Sequence, residues 1–138
     1  MAQTARVLVV EDDDSIALAV DFLLTREGYA HDRIATGAGA LDRIRDSRPD
    51  IVLLDVMLPD VSGHQICRDV RGAADLTQVR ILMMSARGSA TERQRGLASG
   101  ADGFIAKPFA LSTLSAELRR LLPKVSRQDP GQPKGPSG

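Results

Sequence analysis

The chain has 138 residues, enough for one domain, and its 18 basic and 18 acidic side chains cancel to a formal charge of zero, so net charge points to no polyanionic partner. No apolar run approaches a membrane span, and the N-terminus lacks the charged-then-apolar profile of a secretory signal. Tryptophan is absent and Tyr29 is the single tyrosine, which argues against base-stacking recognition of nucleic acid; a lone Cys67 forms no internal disulfide and suits a reducing, cytoplasmic setting.

In chain order, the apolar run 7–10 predicts a first strand that leads straight into Glu11-Asp12. A helix then begins at Asp14 or Ser15, both good N-caps, with Ile16, Ala19, Val20 and Leu23 on its inner face and Gly28 as the residue that ends it. Residues 31–34 form a short second strand, interrupted by polar residues and so expected at a sheet edge. The second helix covers 38–48 with Leu41 and Ile44 inward, and Pro49 stops it. The run 51–54 is apolar throughout, as in a strand covered on both faces, and ends at Asp55. Leu58-Pro59-Asp60 and Ser62-Gly63 make a turn, from which a third helix carries Ile66, Cys67 and Val70 inward.

The fourth strand, 81–84, ends at Ser85-Ala86. The helical segment 91–99 offers only Leu97 and Ala98 as inward candidates, and is expected to be the least anchored helix. The fifth strand, 104–106, ends at Lys107-Pro108, and a last helix over 111–122 repeats leucine at 114, 118, 121 and 122. Past Pro123 the chain turns to proline, glycine, serine and lysine, so 125–138 reads as a disordered tail or a cut linker and 4–124 as the folded domain.

Strands alternating with helices predict βαβ units and a parallel sheet, whose strands share one carboxyl edge where ligands bind. Glu11, Asp12, Asp55, Ser85 and Lys107 all fall at that edge. Paired carboxylates about 4 Å apart repel by ~4 kcal/mol at an effective dielectric of 20, so the cluster needs a cation. Lys107 supplies one charge against three, and oxygen ligands suit Mg²⁺ for the remainder. A carboxylate such as Asp55 can also attack phosphorus in line, giving an aspartyl phosphate. Asp13 and Asp14 read as acids favoured by the helix dipole. Gly37-Ala38-Gly39 lacks the third glycine of a dinucleotide fingerprint. His31 and His64 have no partner at zinc-ligand spacing, Cys67 reads as a small core residue, and Arg43, Arg45 and Arg48 read as a solvated face.

Glu11-Asp12, Asp55 within LLDVMLPDVSG, Ser85-Ala86, Gly100-Ala101-Asp102 and Phe104 through Lys107-Pro108-Phe109 occur in that order. Together they resemble the receiver (CheY-like) domain of bacterial response regulators, over residues 4–124. The resemblance implies an α/β, flavodoxin-like (βα)5 fold: a doubly wound, five-stranded parallel sheet of order 2-1-3-4-5. It implies that Asp55 accepts a phosphoryl group from a sensor histidine kinase or phosphotransfer protein. Asp12 and Asp55 would be direct Mg²⁺ ligands, Glu11 would act largely through water, and the Met57 backbone carbonyl would be a further ligand. Lys107, aimed by a cis bond to Pro108, would face the transferred phosphoryl group, with the Ser85 hydroxyl and the Ala86 backbone on its oxygens. Ser85, where threonine is more frequent, and Phe104 would form the switch.

A haloacid-dehalogenase-like phosphatase also passes through an aspartyl phosphate, but wants an acid two residues after the nucleophile, where this chain has Met57. A flavodoxin-like cofactor binder would want aromatic platforms that are missing here. The expected activity is therefore that of a switch, not an enzyme, beyond self-catalysed phosphorylation and dephosphorylation. The domain itself would bind neither nucleic acid nor membrane. It would report to a downstream protein or to a covalently linked output domain, DNA-binding or enzymatic. Arg93 and Asp102 match charges with which receivers of winged-helix regulators dimerise, whereas Gly103 and Glu117 depart from that set. The expectation is a monomer or a weak dimer.

Overall fold

The computed structural model describes residues 5–122. Five strands alternate with five helices: β1 (Arg6–Val10), α1 (Asp14–Arg26), β2 (Ala30–Ile34), α2 (Ala40–Ser47), β3 (Ile51–Asp55), α3 (Gly63–Arg71), β4 (Arg80–Ser85), α4 (Ala90–Ala98), β5 (Gly103–Ala106) and α5 (Leu111–Leu121). A short 3₁₀ turn, Ala74–Leu76, precedes β4. All strand pairs are parallel and the sheet order is β2-β1-β3-β4-β5, the order the resemblance implied. Val10 lies beside Leu54, Leu54 beside Met83, and Ser85 beside Ala106, so the carboxyl ends of β1, β3, β4 and β5 meet at one edge.

Successive strand residues point to opposite faces, which divides the core in two. Val10, Val52, Leu54, Ile81 and Met83 pack with Ile44, Ile66, Cys67 and Val70 beneath α2 and α3. Val9, Ile51, Leu53, Leu82 and Met84 pack with Val20, Leu23, Leu24, Leu114 and Leu118 beneath α1 and α5. Burial pushes the Cys67 thiol up to about 11, which keeps it an unreactive core residue.

Several local expectations are corrected. The N-cap of α1 is Asp13, whose carboxylate accepts the Ser15 and Ile16 N–H groups, one residue before the expected Asp14 or Ser15. Ala19 faces outward, while Ala17 and Leu24 join Val20 and Leu23 inside. Helix α2 starts at Ala40, not 38, because the Gly37 and Ala38 N–H groups are each bonded to the Asp60 carboxylate at 2.9 Å. That bidentate contact ties the loop after β2 to the loop after β3, which keeps the Asp60 carboxyl below its usual range. Gly28 follows α1 at φ 83°, as a residue ending a helix in the left-handed region requires.

In α4, Leu97 and Ala98 turn to solvent, and Gly96 is the buried residue of the helix. A Cβ at position 96 would stand 3.0 Å from Met83 Sδ and 3.1 Å from Phe104 Cδ2, so α4 approaches the sheet through bare backbone. His64, at the start of α3, is a buried residue. It is 2% exposed, with Nδ1 3.1 Å from Ser99 Oγ and Nε2 3.6 Å from Glu92 Oε1, so it links α3 to both ends of α4. Asp102 is held within the chain: its Oδ2 accepts from Arg71 Nη2 at 2.7 Å and from the Ile81 N–H at 2.8 Å. Glu117 pairs with Arg120 at 2.7 Å. The proposed tail, 125–138, and the last residues of the 4–124 domain lie outside the described residues. Among the described residues, no helix is long and apolar enough to cross a membrane.

Candidate functional site

Each strand end delivers one part of a cleft. Glu11 directly follows β1 and is fully buried; its Oε2 accepts the Asp13 N–H at 3.0 Å and its Oε1 lies 2.7 Å from Lys107 Nζ. Asp55 closes β3, 2% exposed, with Oδ1 accepting the Met57 N–H at 3.1 Å and lying 3.2 Å from the same ammonium. Lys107 follows β5, and its own N–H donates to the Ser85 carbonyl at the end of β4, 2.7 Å away. Asp12 is exposed at the rim. Carboxylate oxygens of Glu11, Asp12 and Asp55 all lie within 4.8 Å of one another, the single group of metal-ligating side chains among the described residues.

The charges explain one another. Burial raises the Glu11 carboxyl above its usual range, and the nearby Asp55 adds to that, against the opposing pull of Lys107 and the Asp13 N–H. Burial alone would lower the Lys107 ammonium, but the hydrogen bond to Glu11 and the charge of Asp55 more than offset it, so Lys107 is held above its ordinary value and stays charged. One partly buried ammonium contacts two of the three clustered carboxylates, all-oxygen donors that suit a hard divalent cation.

Met57, Ala86, Lys107, Pro108 and Phe109 complete the wall of a cleft of about 600 Å³, room for a phosphoryl group and a hydrated ion. The Lys107–Pro108 bond is cis. Ser85 is fully buried just behind this wall, its Oγ accepting the Arg87 N–H at 3.0 Å. Phe104 is separate from the cleft and already in the core, 5% exposed, against Gly96 of α4. Beneath Asp55, Gly63 donates its N–H to the Val56 carbonyl at 2.9 Å; a Cβ there would come within 2.8 Å of Val56 Cα.

Sequence reasoning missed Arg33, whose guanidinium donates to the Glu11 carbonyl from Nε at 3.0 Å and from Nη2 at 2.7 Å. The available signal was its place near the carboxyl end of a strand parallel to β1, opposite Val9.

The response regulator receiver domain, as a family model, matches residues 7–119. The chain belongs to the response regulator receiver family. Response regulator MprA of Mycobacterium tuberculosis is 40% identical over 126 residues, which are 91% of this chain and 54% of that protein. The receiver thus spans about half the length of the curated relatives it matches. Among solved structures, the chemotaxis response regulator CheY4 of Vibrio cholerae superposes with a TM-score of 0.82 at 34% identity, covering 87% of this receiver and all of that chain. The receiver domain of a sensor histidine kinase from Pseudomonas aeruginosa, described with a magnesium ion coordinated in its active site cleft, gives 0.80 at 26% identity over 88% of this chain and 99% of that one. Membership in this family agrees with the receiver resemblance and not with the phosphatase or cofactor-binder alternatives set aside on sequence.

Proposed function

We propose that Asp55 is the phosphoryl acceptor of a two-component relay and that this receiver acts as a switch. The observation that carries the reading is a buried carboxylate with a charged lysine 3.2 Å away and two further acids within 4.8 Å. Asp55 Oδ1 is engaged by the Met57 N–H and Lys107, so Oδ2 is the attacking oxygen. An O–P bond forms as the P–N bond of a donor phosphohistidine breaks, with the electron pair leaving on the imidazole nitrogen. Asp12 and Asp55, with Glu11 through water and the Met57 carbonyl, would hold Mg²⁺, which when bound supplies positive charge for the phosphoryl oxygens. Lys107 then exchanges its contact with the carboxylates for one with a phosphoryl oxygen, stabilising charge as it develops.

The Ala86 N–H and the Ser85 hydroxyl take the remaining oxygens. The Ser85 oxygen accepts the Arg87 N–H, so turning the hydroxyl toward a phosphoryl oxygen would carry the loop leading into α4 with it. Phe104 already lies inward, so phosphorylation would hold it there and fix the seat of α4. The donor is a sensor histidine kinase or phosphotransfer protein, and the readout passes to a downstream protein or to an output domain on the same polypeptide. With acetyl phosphate and Mg²⁺, intact-mass analysis of wild type should show one added phosphoryl group, and Asp55→Asn none. Equal phosphate on the variant would overturn the assignment.

A further inference from the structure

We propose that Arg33 is a positioning residue for this reaction: it clamps the Glu11 carbonyl and thereby sets the direction in which Asp12 presents its carboxylate. The inference rests on the acceptor reading above. Glu11 is held to the end of β2 at both of its backbone groups. Its N–H donates to the Ile34 carbonyl at 3.1 Å, and its carbonyl receives two N–H groups of one guanidinium, at 3.0 and 2.7 Å. The carbonyl belongs to the peptide that joins Glu11 to Asp12, so the plane of that peptide, and with it the exit of the Asp12 side chain, is set by Arg33. Asp12 has no other restraint of this kind. It is exposed and makes no side-chain hydrogen bond or ion pair among the described residues.

The alternative role for Arg33 is charge alone, and the geometry argues against it. Its ion pair is with Asp14, 3.0 Å from Nη1 but 91% exposed, and such a pair contributes little. The other two contacts, at 3.0 and 2.7 Å, go to an uncharged carbonyl, where orientation is what a planar fork provides and an ammonium cannot. The two roles also predict opposite signs. A cation near the acids that merely screened them would compete with Mg²⁺, so its removal would tighten metal binding. A clamp that aims a ligand would, on removal, loosen it; losing a ligand-orienting partner typically costs at least about ten-fold in metal affinity.

The experiment is a Mg²⁺ titration of the unphosphorylated protein by calorimetry, on wild type, Arg33→Lys, Arg33→Gln and Asp14→Asn, with urea midpoints in EDTA alongside. Arg33→Lys keeps the charge without the fork, so it stands in if the glutamine variant folds poorly. Both Arg33 variants should bind Mg²⁺ about ten-fold more weakly, and Asp14→Asn should match wild type. Phosphorylation by acetyl phosphate should slow at low Mg²⁺ and recover at saturating Mg²⁺, the split expected of positioning and not of damage to Asp55. Unchanged or tighter Mg²⁺ binding in Arg33→Gln would overturn the proposal. A wild type that binds no Mg²⁺ would overturn the acceptor reading itself, and is visible before any variant is made.

Discussion

Gly96 is the place where helix propensity and packing oppose each other most directly. Replacing glycine by alanine within a helix ordinarily stabilises by about 1 kcal/mol, because less backbone freedom is lost on folding. Here the added methyl would stand 3.0 Å from Met83 Sδ and 3.1 Å from Phe104 Cδ2. Both partners are in the core, Met83 with no exposure and Phe104 at 5%. Overpacking of this kind costs roughly 1–3 kcal/mol, so Gly96→Ala should be neutral or destabilising by up to about 2 kcal/mol. Equilibrium urea unfolding would measure it. The decisive comparison is the same substitution in a Phe104→Leu background, which removes the ring edge. There part of the propensity gain should reappear, the Met83 contact remaining, with a coupling of about 1 kcal/mol between the two sites. A full 1 kcal/mol of stabilisation in the wild-type background, with no coupling, would show that α4 does not rest on Phe104 in solution.

Lys107→Met leaves Glu11 and Asp55 without their buried counter-charge; in EDTA it should cost about 3 kcal/mol, the lower end for breaking a buried pair because Glu11 can protonate, and a urea curve repeated in Mg²⁺ should show a smaller deficit. For His31, burial lowers the imidazole pKa, but the Tyr29 carbonyl and Asp21, 2.6 Å from Nε2, raise it further, so the net shift is upward. Its contribution is therefore complete below the ordinary imidazole value of about 6.5 and is lost as the pH rises through the raised folded value. Wild type should lose its stability advantage over His31→Gln as melts are moved upward from about pH 6.5; an advantage growing with pH would contradict the sign. With Asp102 engaged by Arg71 and Glu117 by Arg120, sedimentation of the beryllofluoride-activated protein at micromolar concentration should show monomer or weak dimer, and a tight dimer through α4, β5 and α5 would refute this.

Strand ends were legible because apolar runs in a parallel sheet have one destination, and the polar residue that stops each run is read directly. That is why Glu11, Asp12, Asp55 and Lys107 could be brought to one edge from the sequence. Helix faces were less legible. In α4 the apolar Leu97 lies outside and Gly96 inside, a reversal that hydropathy cannot register because the buried surface is backbone. His64 carried no neighbour in sequence; its contacts with Ser99 and Glu92 arise only once α3 and α4 are packed side by side. The clamp by Arg33 was hidden for a similar reason, since its acceptor is a main-chain carbonyl that no side-chain pattern can advertise.

The division of the core by the sheet has a consequence for how such a chain can change. Val9 and Leu53 serve one side, Val10 and Leu54 the other, and among the described residues no helix contributes to both clusters. Volume changes at helix residues on one side, such as Leu23 and Leu114, should therefore add to those on the other, such as Ile44 and Ile66, because they share no packing partner across the sheet. The sheet is a partition. Either side can drift in sequence on its own account, while the carboxyl edge that both sides share stays in register.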